Sequence, residues 1–152
     1  MIRPMTLDDI SRVGDVWLET SIEAHDFVPA DFWRSDHKTM TEKLLPQAEG
    51  YVHVAEGQLD AFITWEGDFI HCLFVQPKSQ RHGIGSSLLS RVKQEHGVLR
   101  LKVYQQNRDA RAFYESHGFF LTGESTCPYT GCAEFEMEWR RQPEPSAGGY
   151  RA

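Results

Sequence analysis

The chain has 152 residues, 40% of them hydrophobic and 12% aromatic, and a formal net charge of −6 at pH 7. That length supports one domain with a sizeable core and excludes two of ordinary size, while the acidic balance supplies no bulk basic surface for nucleic acid and suits a cationic or amine-bearing partner. No run approaches the roughly 18 apolar residues of a membrane helix and the first residues lack the apolar core of a secretion signal, so the sequence predicts a cytoplasmic protein with neither membrane nor nucleic-acid partners.

Ile2 to Met5 reads as a short strand, and Thr6 followed by Asp9 has the Thr-x-x-acidic spacing of a helix cap. Ile10, Val13, Val16 and Trp17 form the apolar stripe of a first helix. From Ser21 to Trp33 the sequence predicts an irregular aromatic segment broken by Pro29; its His25, Phe27, Phe32 and Trp33 are either pocket walls or ordinary buried side chains. A second helix is expected from Asp36 to Leu45, ending at Pro46. Tyr51–Ala55, Leu59–Trp65 and Phe69–Val75 are β-prone runs separated by Glu56-Gly57 and Glu66-Gly67-Asp68, which have hairpin chemistry, so an antiparallel meander follows.

Helical spacing returns at Ile84, Leu88, Leu89 and Val92, with Gly97 as the expected C-terminal cap. Leu99–Tyr104 reads as a strand, Asn107–His117 as a helix closed by Gly118, and Phe119–Thr122 and Phe135–Trp139 as a last pair of strands. The predicted order is β-α-α-β-β-β-α-β-α-β-β, in one domain over residues 1–140. Residues 141–152, rich in Pro, Gly and Ser, read as a disordered tail. Three cysteines argue against a disulfide framework. Cys127 and Cys132 frame a Pro-Tyr-Thr-Gly turn; a plain hairpin is favoured there over a Cys–Cys pair or a metal, and no metal site is expected.

The densest chemical signal is the passage from Cys72-Leu73-Phe74-Val75 through Pro77 to Gln80-Arg81-His82-Gly83-Ile84-Gly85, followed by a helix. A strand, a basic turn with two glycines and a helix N-terminus make an anion site, because glycine lets a ligand approach the backbone and the first helical N–H groups are unpaired. The expected ligand is a pyrophosphate. A dinucleotide-binding loop would need a third glycine where Leu88 stands and would open a parallel crossover. The Gly-x-x-x-x-Gly-Lys run of nucleoside triphosphatases is absent.

Gln80-x-x-Gly83-x-Gly85, preceded by Leu73-Phe74-Val75-x-Pro77, resembles the Gln/Arg-x-x-Gly-x-Gly/Ala loop of the GNAT superfamily of acetyl-coenzyme A-dependent N-acetyltransferases. Asn107-Arg108-Asp109-Ala110-Arg111-Ala112-Phe113-Tyr114 with Gly118-Phe119 resembles that family's second signature. The resemblance covers residues 1 to 140, and Ala24-His25-Asp26-Phe27 with Trp33 is similar to small bacterial members that acetylate protein or small-molecule amines. It implies an α/β (α+β) fold whose mixed, mostly antiparallel central sheet of about seven strands is flanked by about four helices. Acetyl-CoA would be the co-substrate, held between splayed fourth and fifth strands. The acceptor would be an amine of a protein lysine, a protein N-terminus or a small molecule, attacking directly through a tetrahedral intermediate rather than through an acetyl group on Cys72. A monomer or a homodimer is expected.

The resemblance also implies roles. Backbone groups of Leu73, Phe74 and Val75 would pair with the pantetheine arm, N–H groups of Arg81, His82, Gly83, Ile84, Gly85 and Ser86 would hold the pyrophosphate, and Asn107 would bond the cofactor arm. Tyr114 would protonate the departing thiolate, a task suited to a phenol that is protonated at neutral pH. His25, Phe27 and Trp33 would line the acceptor groove. The family's usual glutamate base is missing, with Lys102 and Phe69 at the positions where relatives carry one. His71, two residues beyond Phe69, is the first candidate base, His25 the second and a water relay the third. From the residues alone, Tyr114 could equally be a core aromatic, Asn107 a helix cap and His71 a packed strand residue. The missing glutamate also motivates an alternative, a non-catalytic acyl-CoA sensor with the same fold.

Overall fold

The computed structural model describes residues 1–142, so the tail predicted from residue 141 lies almost wholly outside the described residues. The strands are β1 (Ile2–Pro4), β2 (Glu49–Ala55), β3 (Gln58–Glu66), β4 (Phe69–Val75), β5 (Val98–Tyr104), β6 (Phe120–Thr126) and β7 (Ala133–Arg140). They form one sheet in the order β1-β2-β3-β4-β5-β7-β6, antiparallel throughout except where β4 meets β5. Four helices, α1 (Ile10–Ala24), α2 (Ala30–Thr39), α3 (Ile84–Lys93) and α4 (Arg108–Ser116), complete the predicted order of elements.

Helices cover both faces of the sheet. Leu88, Leu89 and Val92 of α3 pack with Ile63, Leu99, Leu101 and Met137 on one face, and Val13, Val16 and Trp17 of α1 with Val52 and Phe62 on the other. Every residue of β3 from Leu59 to Trp65 is buried, as a central strand with two covered faces requires.

Three expectations change. Helix α1 runs to Ala24, and α2 starts at Ala30, so Trp33 lies on a helix and not in an irregular segment. Pro29 precedes the first helical residue, where a proline removes no helical hydrogen bond. After Thr39 the helix widens into a π turn over Met40–Leu44 and tightens into a 3-10 turn over Leu45–Gln47, which places Pro46 inside it. Gly97 is not the cap of α3, which ends at Lys93 and is capped by Gln94, whose N–H donates to Ser90 O; Gly118, at φ 88°, does supply the left-handed residue after α4. Cys127 and Cys132 face each other at the end of the β6–β7 hairpin, with Cys127 N–H donating to Cys132 O at 2.9 Å.

The sheet splits in its middle. Pairing of β4 with β5 is confined to Phe69 opposite Arg100, where Arg100 N–H donates to Asp68 O at 2.8 Å. The Arg100 guanidinium clamps this closed end, reaching Asp68 at 2.7 Å and Glu138 at 3.1 Å. Just beyond, Thr64 pairs with Cys72 but Trp65 with Ile70, so His71 is the extra residue of a β-bulge. A bulge bends its strand, and this one ends the contact with β5 while leaving β4 on β3 as far as Val75.

The start of the chain is fixed by Asp9, as the Thr-x-x-acidic spacing predicted. Its carboxylate accepts from both terminal nitrogens of Arg3, at 2.8 and 2.9 Å, and from Thr6 N–H at 2.8 Å, tying β1 to α1. The Arg3 hydrogen bonds hold the Asp9 pKa down to about 2, against the opposing effect of burial. A carboxyl with a depressed folded pKa stabilises above its unfolded value and loses that contribution as pH falls. Asp9→Asn should cost about 1–2 kcal/mol at pH 7. In urea unfolding, the wild-type advantage should persist down to pH of about 4 and vanish as pH falls through about 2; an advantage independent of pH would refute the assignment.

Candidate active site

A cleft of about 910 Å³ fills the split. It is walled by Leu73–Val75 of β4, Lys102–Tyr104 of β5, the loop before α3, the inner face of α4 from Asn107 to Tyr114, and His25 and Trp33. His71, Arg81, Gly83, Ile84, Gly85 and Ser86 line it too, so the structure gathers most of the predicted site around one cavity. His82 and Phe27 are not on its wall; Phe27 instead backs the His25 ring at 5.7 Å.

At one end lies the anion loop. Arg81 (φ 69°) and Gly83 (φ 78°) are both left-handed, an alternation that turns successive N–H groups toward one point. No backbone N–H from Arg81 to Ser86 has a partner among the described residues, and the first such bond is Ser87 N–H to Gly83 O at 3.0 Å. A left-handed arginine costs on the order of 1 kcal/mol, strain of the kind held at ligand sites. Gln80 Nε2 donates to Val75 O at 2.9 Å and fastens the loop to the end of β4. A Cβ on Gly85 would meet only Phe113 and Val75, at 3.5 Å and beyond, so packing within the protein does not require glycine there. A group of free N–H donors at a helix N-terminus beside an open backbone fits a pyrophosphate.

At the mouth, Asn107 caps α4, its Oδ1 accepting from Ala110 N–H at 3.2 Å. Its Nδ2 therefore donates to His25 Nε2, also at 3.2 Å, and the second N–H of that amide remains free for a ligand. His25 is thereby a neutral ring with its proton on Nδ1, which is buried without a partner among the described residues. Trp33, Phe74 and Tyr104 also surround the ring, with centroids at 5.4, 6.3 and 4.9 Å, and burial pushes its pKa down to about 4. With its lone pair engaged, His25 is built to position Asn107 and not to take a proton. The sequence suggested a use for each residue but no contact between them.

Tyr114 is buried on α4 against Phe113 and Phe119 and lines the cleft. Burial, reinforced by the neighbouring Cys72, raises its pKa, so the phenol keeps its proton. Cys72 is likewise pushed up to about 12 by burial, despite a hydrogen bond with Thr64, and a thiol that does not ionise is a poor nucleophile. His71 occupies the bulge of β4, where the regular alternation of faces is interrupted. Its ring still lies 5.1 Å from that of Phe69, and Nε2 stands 3.5 Å from Glu66 Oε1. Glu134, directly opposite Tyr104 on β7, also lines the cleft, with its pKa raised by burial against the pull of Lys102. It was missed because the last strand was started at Phe135; the Glu134, Glu136, Glu138 alternation would have found it.

The burial of His25 has a sign that can be measured. Its folded pKa lies below the unfolded value near 6.5, so stability is fully present above that value and is lost as pH falls toward about 4, by up to about 3 kcal/mol. Urea unfolding at pH 7 and pH 4.5 should show this loss in the wild type and a shallower one in His25→Gln. Equal slopes in the two proteins would contradict a neutral, buried His25.

A sheet split at its centre, with free N–H donors at one end of the split and a protonated phenol along it, is the arrangement that the sequence resemblance implies for an acetyl-CoA-dependent acyltransferase. Residues 21–141 match the family model described as the acetyltransferase (GNAT) domain. The peptidyl-lysine N-acetyltransferase YiaC of Escherichia coli K12 is 33% identical over 140 residues, which is 91% of this chain and 96% of the relative. The peptidyl-lysine N-acetyltransferase YjaB of the same organism is 30% identical over 111 residues, 72% of this chain and 75% of the relative. The solution structure of apo YjaB from Escherichia coli matches with a TM-score of 0.79 and 25% identity, covering 91% of this chain and 96% of that one. The chain belongs to the GNAT family. It is an N-acetyltransferase that moves an acetyl group from acetyl-CoA to an amine, and the non-catalytic sensor is not favoured. Among the described residues no helix is long and apolar enough to cross a membrane.

Proposed function

We propose that the amine is the side chain of a protein lysine. The observation that carries this reading is the similarity, over nearly the full length of both chains, to a relative named for peptidyl-lysine acetylation.

The residues of the split supply each requirement of the reaction. The edge of β4 from Leu73 to Val75 would hold the pantetheine arm in the place of a missing strand, with Val75 O already taken by Gln80. The N–H groups from Arg81 to Ser86 would hold the pyrophosphate, and the free N–H of Asn107 would bond the arm. Acetyl-CoA supplies an activated carbonyl with a thiolate leaving group. The amine nitrogen forms a bond to that carbonyl carbon, the carbon–sulfur bond breaks, the thiolate takes the proton of Tyr114, and the proton that the nitrogen loses in becoming an amide restores the phenol. With Cys72 held as a thiol, attack is direct.

An alkylammonium has a pKa near 10.4, so at neutral pH only about one in a thousand is the free amine, and a proton acceptor near the site raises the rate. His71 suits this role. It lines the cleft at the bulge with Nε2 3.5 Å from Glu66 Oε1, and with the ring hydrogen on Nε2 its Nδ1 carries a lone pair that can take the proton. His25 offers no free lone pair.

With a peptide whose N-terminus is blocked, wild type and acetyl-CoA should yield a product bearing an acetyl group on lysine Nε, located by tandem mass spectrometry. Acetylation confined to N-terminal amines across a set of unblocked peptides would overturn the lysine reading. Tyr114→Phe should lower kcat about tenfold or more with acetyl-CoA affinity nearly unchanged; a wild-type kcat would remove it as the acid. His71→Ala should lose the acid limb of the kcat/KM profile while His25→Ala retains it. An intact limb in both would select the water relay.

A further inference from the structure

The hairpin tip Cys127-Pro-Tyr-Thr-Gly-Cys132 has no part in the transfer described above. Cys127 and Tyr129 stand on the wall of a second cavity, of about 230 Å³, which shares His71, Cys72 and Tyr104 with the main cleft. We infer that Cys127 and Cys132 are a redox-active thiol pair, closing to a reversible disulfide that is felt in the acetyltransferase site through Tyr104.

The register of the hairpin brings the two residues together. Thr126 pairs with Ala133, so Cys127 and Cys132, next toward the turn, lie directly opposite each other, joined by the hydrogen bond from Cys127 N–H to Cys132 O. Opposed residues of an antiparallel pair project to the same face. At a hydrogen-bonded position their Cα atoms lie about 5.5 Å apart, inside the range of about 4.4–6.8 Å that a disulfide spans. Both side chains turn toward the α1 and α2 side of the sheet, where Cys132 and Tyr104 pack against the same core cluster and Cys127 Sγ accepts from the Tyr104 hydroxyl at 3.5 Å. Joining the sulfurs there requires the Cβ atoms to close by about 1 Å, and the strain makes such a bond readily reduced.

The surroundings of Cys127 favour its thiolate. Burial acts to raise its pKa, but hydrogen bonds from the Thr130 and Tyr104 hydroxyls and from the backbone N–H groups of Thr130 and Tyr129 outweigh burial and hold it below that of an ordinary thiol. Cys72 is the reverse case, a buried thiol pushed up to about 12. Hydrogen peroxide balances the chemistry. The Cys127 thiolate attacks one peroxide oxygen, the oxygen–oxygen bond breaks, and hydroxide leaves as water with the thiol proton, giving a sulfenic acid. The Cys132 sulfur then attacks that sulfur, the sulfur–sulfur bond forms, and the second oxygen leaves as water with the Cys132 proton. The two sulfurs together give two electrons to the peroxide, and a dithiol reverses the step by exchange.

Closure has a route to the site. A Cys127 sulfur drawn to Cys132 no longer serves as acceptor for the Tyr104 hydroxyl. Tyr104 lies at the end of β5 on the walls of both cavities, and its ring stands 4.9 Å from that of His25, whose Nε2 holds the Asn107 amide. Losing the hydroxyl's anchor loosens the wall that positions Asn107.

Thiol titration, peptide mapping and kinetics on the full chain test the pair. Brief treatment of the reduced protein with hydrogen peroxide, followed by its removal, should leave one free thiol of the three and a linkage joining Cys127 to Cys132, with all three thiols restored by dithiothreitol. Initial rates on an amine that the reduced enzyme acetylates, read before released coenzyme A accumulates as a reductant, should fall about fivefold on oxidation, the order expected for one lost hydrogen bond, and recover with the dithiol. Cys132→Ser should keep the reduced rate and form no internal disulfide. Tyr104→Phe should form the disulfide as wild type does, start near the oxidised wild-type rate and lose little more on oxidation. Three free thiols after treatment, a sulfinic acid in place of the linkage, or a linkage through Cys72 would overturn the pair. A mapped Cys127–Cys132 disulfide with an unchanged rate would overturn its effect on the site. The mapping is independent of which amine is the acceptor, so failure of the lysine reading leaves it standing.

Discussion

The interruption of pairing between β4 and β5 is the constraint on which the rest of the molecule depends. Two central strands leave their inner edges without partners, in a part of the sheet where backbone groups are otherwise paired. Arg100 sets the closed end through Asp68 and Glu138, and the extra residue at His71 turns β4 away. The opening is thus built into the register, and in the proposed reading an extended ligand arm would satisfy those edges in the place of a strand. The helices on the two faces then acquire different tasks. On one side α3 and α4 bring the anion loop and the phenol; on the other α1 and α2 bring the aromatic wall.

Burial keeps three titratable groups of the split uncharged. The Cys72 thiol, the Tyr114 phenol and the neutral His25 ring are each held in that state by desolvation. Charged groups lie toward the periphery, with free N–H donors and Arg81 at the loop end and Asp36 and Glu66 toward the second cavity. That separation suits a reaction joining an anionic donor to a cationic acceptor. His25 and Asn107 tie α1 to α4, because one amide caps α4, holds the imidazole and retains a free N–H.

Much of this was legible in the sequence because it rests on local patterns. The change from strand to helix spacing after Pro77, the glycines of the loop and the Asn107 to Phe119 stretch mark the walls of the split through residues close in the chain. What depends on distant pairing was not legible. The bulge follows from how β4 sits on β3, and no residue type announces it. The His25–Asn107 bond joins positions 82 apart. The segment from Ser21 to Trp33 was read as irregular because Pro29 looked like an interruption within it, and because α2 buries little besides Trp33.

Amide hydrogen exchange on the full chain, with and without acetyl-CoA, tests most directly whether the split is the donor site. Residues 72–76 of the β4 edge and 83–87 of the loop and first turn of α3 should gain protection together, with the β1–β2 edge of the sheet unchanged. Protection elsewhere, with those two segments exchanging as they do in the free protein, would contradict it.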